Sequence, residues 1–327
     1  MSIPTALRAR RVLVLGGTGF VGRRLVPRLL DDRYEVRIPT RNRARNRGSL
    51  VLPGVELVEA DVHDETRLRE LLGGCGAAIN LVGILNETGH DGAGFERAHV
   101  ELTAKLVRAC RAAQVPRLLQ MSALKADADR GPSHYLKTKG RAERLLSADA
   151  GDALAFTVFR PSVIFGAEDS LLNRFAALLR VAPVLPLAGA HARFAPVFVD
   201  DVAEAFARTL ANPATWGRTY ELCGPEIYSL EELVRFVRAQ LGLKRAIVKL
   251  PGWLGRIEAW VGEYLLPGKP FSRDNLASLG SPSLCASDGL AELGIRARAL
   301  SAVAPTYLGT GTRQSALTRL RRNSGRR

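Results

Sequence analysis

Cysteine is sparse in this chain: Cys75, Cys110, Cys223 and Cys285 are the whole set, with no C-x-x-C pair and no histidine cluster beside them. That spacing points to neither a zinc site nor a disulfide framework, so a reducing cytoplasm is the expected setting and no metal is expected. Also lacking is any run of about 18 unbroken apolar residues, the least a membrane-spanning helix needs. The opening MSIPTALRARR has neither the apolar core nor the cleavage site of a signal peptide. A soluble or peripheral protein is expected.

Acid is scarce relative to base, and the formal net charge is +15. The basic residues are mostly Arg and are scattered through ordinary helical patterns with no groove-reading motif, which argues against nucleic acid as a partner. Two clusters stand apart. One is RNRARNR, from Arg41 to Arg47; the other is the tail from Arg313 to Arg327, which holds no acid. The tail reads either as a solvated, disordered end (312–327) or as a contact for anionic lipid or an acidic partner. In PGWLGRIEAWVGEYLLPGKP, Trp253, Ile257, Trp260, Val261, Tyr264 and Leu265 share one helical stripe, which reads either as a core helix closing the second lobe or as a surface that touches a membrane.

What is present in quantity is hydrophobic residue, 46% of 327 positions, ample for one large α/β unit with a smaller lobe. Apolar strand-like runs alternate with helical patterns: RVLVL, YEVRI, VELVEA, AAINLVG, RLLQMS and ALAFTVF, with helices over Val21 to Leu30, Leu68 to Leu72, Phe95 to Ala113 and from near Tyr135. Alternation at this pitch predicts βαβ units and a doubly wound parallel Rossmann sheet. The expected organisation is a dinucleotide-binding domain over 1–165, rejoined by 198–222. A smaller, mostly helical lobe takes 166–197 and 223–311, with VAPVLPLAGAHARFAP as an irregular crossing segment.

GGTGFVG puts Gly16, Gly19 and Gly22 at G-x-x-G-x-x-G spacing between a strand and an amphipathic helix. A chain that turns tightly, brings its backbone against a pyrophosphate and aims helix N–H groups at it needs glycine there, and Thr18 and Phe20 lie in the same turn. NAD-preferring sites carry an acid at the end of the second strand. Here the sequence reads IPTRNR, with Arg41 and Arg43 available to a 2′-phosphate, so NADP(H) is preferred over NAD(H). Asp61, with Val62, is placed to reach the adenine.

Tyr135 and Lys139 lie four apart in HYLKTK and share a helix face, and Ser122 ends the preceding strand. A phenol titrates near 10 and needs an adjacent ammonium to work as acid or base near neutrality, while a serine hydroxyl can orient a carbonyl or alcohol.

This ordered set, with FRPSVIFG after the sixth strand, resembles the short-chain dehydrogenase/reductase superfamily in its extended or atypical, epimerase/dehydratase-like form. The resemblance covers roughly residues 10 to 225. It implies that Ser122, Tyr135 and Lys139 form the catalytic set and that Arg160, Pro161 and Val163 border the nicotinamide half of the cofactor, with Leu81 and Val82 lining the dinucleotide. One departure is AHVELT, with His99 where extended members carry an Asn of the proton relay; His99 reads either as a hydrogen-bonding substitute or as a packing residue.

The phrases INLVGIL, FERAHVEL, SHYLKTKGRAE, FRPSVIFGAEDSLLNRFAALLR, FVDDVAEA and APTYLG resemble a narrower branch, the nucleotide-binding accessory subunit of respiratory complex I and its bacterial relatives. Two classes of function follow from that resemblance. In one, the protein is an NADP(H)-dependent oxidoreductase acting on a quinone precursor or another apolar carbonyl. In the other, it holds the nucleotide without turnover, as an assembly or sensor subunit of a respiratory or ubiquinone-making complex. The implied location is cytoplasmic, or peripheral on the inner membrane.

Overall fold

The computed structural model describes residues 9–46, 52–87, 89, 91–250, 273–279 and 282–309. The striped segment around Trp253–Leu265 and the Arg-rich tail lie outside the described residues.

In chain order the first elements are β1 (Arg11–Leu15), α1 (Gly22–Asp31), β2 (Glu35–Thr40), β3 (Val55–Glu59), α2 (Glu65–Leu72) and β4 (Ala77–Asn80). A short turn of helix at Ala93–Phe95 runs through a π-helical stretch, Glu96–Glu101, into α3 (Leu102–Ala112). Then come β5 (Arg117–Met121), α4 (His134–Asp149), β6 (Ala155–Pro161), β7 (Ile164–Phe165), α5 (Leu171–Val181), β8 (Val184–Leu187), β9 (Arg193–Phe194), β10 (Val197–Phe198), α6 (Val199–Leu210) and β11 (Arg218–Leu222). The last labelled elements are β12 (Tyr228–Ser229), α7 (Leu230–Gln240) and β13 (Ala246–Lys249).

Seven strands form one parallel sheet in the order β11-β6-β5-β4-β1-β2-β3. Its central strands are buried on both faces, as continuous apolar runs such as RVLVL demand. The strand order reverses between β1 and β4. There, beyond the carboxyl ends of the strands, a doubly wound sheet opens its ligand crevice.

The chain divides into two compact units. The first comprises Met1–Pro161, Asp200–Leu222 and Ala286–Arg296 and holds the whole sheet. The sequence pattern assigns 286–296 to the second lobe; the structure packs it with the sheet, where Gly289 lies so close to the Glu221 backbone that a Cβ would come within 2.5 Å of its carbonyl oxygen. The second unit comprises Ser162–Val199, Cys223–Cys285 and Ala297–Arg327. The stretch read as an irregular crossing segment holds two strands: β8 pairs in parallel with β13, and β9 pairs antiparallel with β12. Leu185 and Leu187 are buried while Val184 and Pro186 face out, the two-residue alternation of a strand that the prolines hide in the sequence.

The cysteine expectation is overturned. Cys223 and Cys285 form a disulfide across a sequence separation of 62, with Cα atoms 6.0 Å apart. No spacing rule reveals this pairing, because two cysteines brought together by tertiary structure have no local signature. Cys75 and Cys110 are buried free thiols.

Candidate functional site

The glycine turn is shaped by its own backbone. Gly16 has φ +76°, in the left-handed region, and a Cβ there would lie 3.2–3.3 Å from Leu81 and the Val82 amide. At Gly22 a Cβ would meet the backbone of Gly17 at 2.4–2.5 Å, so α1 can seat against the turn only with glycine at this position. At Gly19 only the Gly16 oxygen, 3.1 Å away, stands within reach among the described residues, which leaves open space over the turn. The turn is closed by the Gly19 amide donating to Gly16 O at 2.9 Å, and Arg23 Nε donates to Thr18 O at 3.0 Å. Helix α1 has no side-chain cap and no acid in its first turn. Its positive end is therefore not neutralised by the helix's own side chains, as a phosphate cradle requires. The open space above Gly19 and this uncapped end fit a dinucleotide pyrophosphate.

Beyond β2, Thr40 Oγ1 accepts from Asn46 Nδ2 at 3.0 Å, and Asn42 Oδ1 accepts from the Arg45 amide at 2.9 Å. These bonds hold the loop in which Arg41 and Arg43 stand exposed. The Arg43 amide also donates to the Glu59 carboxylate at 3.2 Å, which ties the loop to the end of β3. Asp61 uses Oδ1 to accept the His63 amide at 2.9 Å. Leu81 is tied to Leu15 O through its amide, and the Val82 amide donates to Asn80 Oδ1 at 3.1 Å. Asn80 in turn donates to Gln120 at 3.1 Å, a buried polar pair that fixes the ends of β4 and β5.

Ser133 caps α4 by accepting the Leu136 amide, so the helix starts one residue before Tyr135 and its register carries Tyr135, Lys139 and Glu143 along one face. Tyr135 is half-buried and stands edge-on to His99, with ring centroids 5.5 Å apart. Lys139 is only 3% exposed, and its Nζ donates to Met121 O at 3.1 Å and Val82 O at 3.4 Å. Burial pulls its pKa down to about 8, with Glu143 acting the other way. An ammonium poised there responds to small changes in its surroundings near neutral pH.

Ser122 is engaged. Its hydroxyl donates to the Glu143 carboxylate, which is itself gripped by Arg160 through Nε at 3.0 Å and through Nη2. Its single O–H being occupied, Ser122 offers an incoming molecule only an acceptor lone pair, and Arg160 is directed at Glu143. The ion pair holds the Arg160 pKa above its ordinary value.

His99 occupies the π-helical stretch. The Ile84 amide donates to its Nε2 at 3.3 Å, so that nitrogen carries no proton; Nδ1–H then donates to Thr138 Oγ1 at 2.8 Å, and Thr138 passes its own hydrogen to His134 O at 2.8 Å. Burial, reinforced by the charge on Lys139, drives the His99 pKa down to about 2. Both ring nitrogens are committed and the ring stays neutral. It supports the site without passing protons through it.

The structure thus brings Gly16, Leu81, Val82, Lys139 and His99 together; a Cβ on Gly83 would lie 3.2 Å from Lys139 Nζ and 3.6 Å from His99 Nε2. Pro161 ends β6, and Val163 lies in the second unit, where its carbonyl accepts the Val197 amide. Glu143 and Thr138 were missed at the level of sequence. Glu143 was findable, since it stands one helical repeat beyond Lys139 on the Tyr135 face.

The model of the NAD dependent epimerase/dehydratase family matches residues 12–223, from β1 past the last sheet strand. The chain belongs to this family. It is similar to the mitochondrial NADH dehydrogenase [ubiquinone] 1 alpha subcomplex subunit 9 of Arabidopsis thaliana, 30% identical over 79% of this chain and 64% of that protein. The chain therefore spans about two thirds of that relative's length. It is also similar to a 4-hydroxy-2-methyl-3-oxo-4-farnesyl-3,4-dihydroquinoline-1-oxide ketoreductase of Stigmatella aurantiaca, 26% identical over 78% of this chain and 80% of the relative. Among solved structures, the NADPH-dependent quinone oxidoreductase QOR2 of Escherichia coli, complexed with NADPH, superposes with a TM-score of 0.72 at 21% identity, covering 91% of this chain and 99% of that one. That likeness is one of fold. Among the described residues no helix is long and apolar enough to cross a membrane.

Proposed function

We propose that this protein holds NADP(H) on the turn Gly16–Gly22, with Thr18, Phe20, Leu81 and Val82 along the dinucleotide, Arg41 and Arg43 on a 2′-phosphate and Asp61 with Val62 at the adenine. The observation that carries the reading is the glycine cradle, open above Gly19 and closed to any side chain at Gly22. The absence of an acid at Pro39 and Thr40, with guanidinium groups next in line, supports the phosphate-bearing dinucleotide. When bound, the nicotinamide supplies a hydride.

Holding, rather than turnover, is the reading the side chains favour. The Ser122 hydroxyl is directed to Glu143, and His99 is closed as a proton path. By its similarity to the respiratory subunit, the protein works as a nucleotide-holding assembly or sensor component of a respiratory or quinone-making complex, on the cytoplasmic side and peripheral to the inner membrane. A second reading, reduction of a quinone precursor or another apolar carbonyl, is supported by Tyr135 beside the Lys139 turn. There Lys139 would lower the phenol pKa, Tyr135 would deliver the proton, and Ser122 would accept from a substrate hydroxyl.

Titration calorimetry tests the first reading: NADPH should bind at least ten-fold more tightly than NADH, and Arg41→Ala with Arg43→Ala should remove most of that difference. Equal affinities would overturn it. Oxidation of bound NADPH by a panel of quinones and enones separates the two readings. Turnover that falls by orders of magnitude in Tyr135→Phe, with affinity unchanged, would establish the second.

A further inference from the structure

The disulfide sits at two particular points in the chain. The sheet unit ends its strand β11 at Leu222 and resumes at Ala286; the second unit takes the residues between, Cys223–Cys285. The bonded cysteines are the first and last residues of that segment. The bond therefore closes the segment into a covalent ring that contains β12, α7 and β13.

We propose that Cys223–Cys285 is a redox modification site, opened by a dithiol reductant and reclosed by oxidation, which switches the segment between a closed ring and an open chain. It is independent of the nucleotide reading. In the step, a thiolate of the reductant attacks one sulfur and displaces the other cysteine as a thiolate. The reductant's second thiol then resolves the mixed disulfide. Two electrons and two protons pass to the protein, which ends with two thiols, and the reductant ends as a disulfide.

Three observations support it. First, the pair has no competitor: Cys75 and Cys110 are the only other cysteines, both are buried, and burial holds both thiols above their ordinary pKa, so neither supplies the thiolate that would scramble the bond. Second, it is accessible, for both cysteines are only half-buried and Ala286, Ser287 and Asp288 beside them are exposed. Third, opening is reversible, because the flanks are pinned without the sulfurs. The Gly224 amide donates to Ala195 O at 3.2 Å, the Ser283 amide to Arg193 O at 2.8 Å, the Ala195 amide to Ser283 O at 3.2 Å and Ser162 Oγ to Ser283 O at 2.9 Å. On the sheet side, the Ala286 amide donates to the Glu221 carboxylate. Gly224 is held so near Pro196 that a Cβ would lie 1.9 Å from its carbonyl oxygen, which fixes the Cys223 side of the joint. The two thiols are thus kept in reach of each other, while local unfolding of the segment, which the ring makes more costly, becomes easier once the bond is open.

The test uses the full chain, purified without reductant, treated under native conditions with dithiothreitol or buffer, and blocked with iodoacetamide. Mass spectrometry should find two added groups after reduction, on Cys223 and Cys285, and none before; Cys75 and Cys110 should react only in denaturant. Limited proteolysis should cut within 224–284 several-fold faster in the reduced protein, and reoxidation with diamide should restore the slow rate. The double variant Cys223→Ser, Cys285→Ser should be cut at the fast rate with or without reductant. Free thiols at 223 and 285 in the unreduced protein, reduction that requires denaturant, or a cleavage rate indifferent to the bond would each overturn the proposal.

Discussion

At the scale of single residues, His99 shows how a buried titratable group makes stability depend on pH. The unfolded chain accepts a proton on this imidazole at about 6.5, whereas the folded protein holds off protonation to about 2. Between those values the unfolded state binds more protons, so stability falls as pH falls through the window, and it is unaffected by His99 above it. The expected slope is about 1.4 kcal/mol per pH unit. Urea denaturation of the protein and of His99→Gln should therefore diverge below pH 6.5, the parent losing about 2 kcal/mol more than the variant by pH 5. Parallel curves would show that the ring is protonated in place. The sequence marks His99 as a departure but leaves its role open, because the tautomer depends on two partners, Ile84 and Thr138, at 15 and 39 residues' distance.

Among the elements, α1 is the one whose position every other part of the nucleotide site presupposes. Gly22→Ala would drive a methyl group into the Gly17 carbonyl at 2.4 Å, and the helix would have to lift from the sheet. A loss of about 1–3 kcal/mol on chemical denaturation is expected, together with loss of NADPH binding. Gly19→Val should abolish binding with a smaller effect on stability, since its side chain enters space meant for the cofactor. The strands and helices of this unit were legible because hydrophobic periodicity and glycine spacing are local; RVLVL and RLLQM became β1 and β5 as read. The π-helical Glu96–Glu101 was not, since its extra residue per turn leaves the apolar spacing of the segment looking helical. Strands β8 and β13 were hidden for a different reason. Each is four residues long, and each forms only because the other, remote in sequence, is there to pair with it.

Across the whole molecule, what the sequence withheld lies mainly in the second unit, where contacts join distant segments and no motif repeats. The disulfide is the plainest instance. A ring of this size can contribute about 4 kcal/mol by restricting the unfolded chain, yet neither cysteine carries any local sign of it. On the proposed cytoplasmic location, where lasting disulfides are rare and the known ones are mostly redox-sensing, that bond weighs towards a switch more than a staple.

Arg117 has a consequence in time. It is the largest fully buried side chain among the described residues, 1% exposed, and none of its described hydrogen-bond partners is a carboxylate. It donates to Ala155 O, Thr157 Oγ1, Thr209 O, Leu210 O and Thr215 Oγ1 at 2.7–3.3 Å. Two of those carbonyls end α6, where the negative end of the helix dipole receives the cation. The partners lie 38 to 98 residues along the chain, so a charge at the start of β5 waits for β6, α6 and the approach to β11 before it is satisfied. Until they arrive it favours water, so closure of this edge of the sheet is expected to come late in folding. In stopped-flow measurements Arg117→Met should lower stability by about 2 kcal/mol, because the buried carbonyls and hydroxyls lose their donor. Nearly all of that should appear as faster unfolding with the folding rate kept, and a variant that instead folded slowly would place this edge in the nucleus.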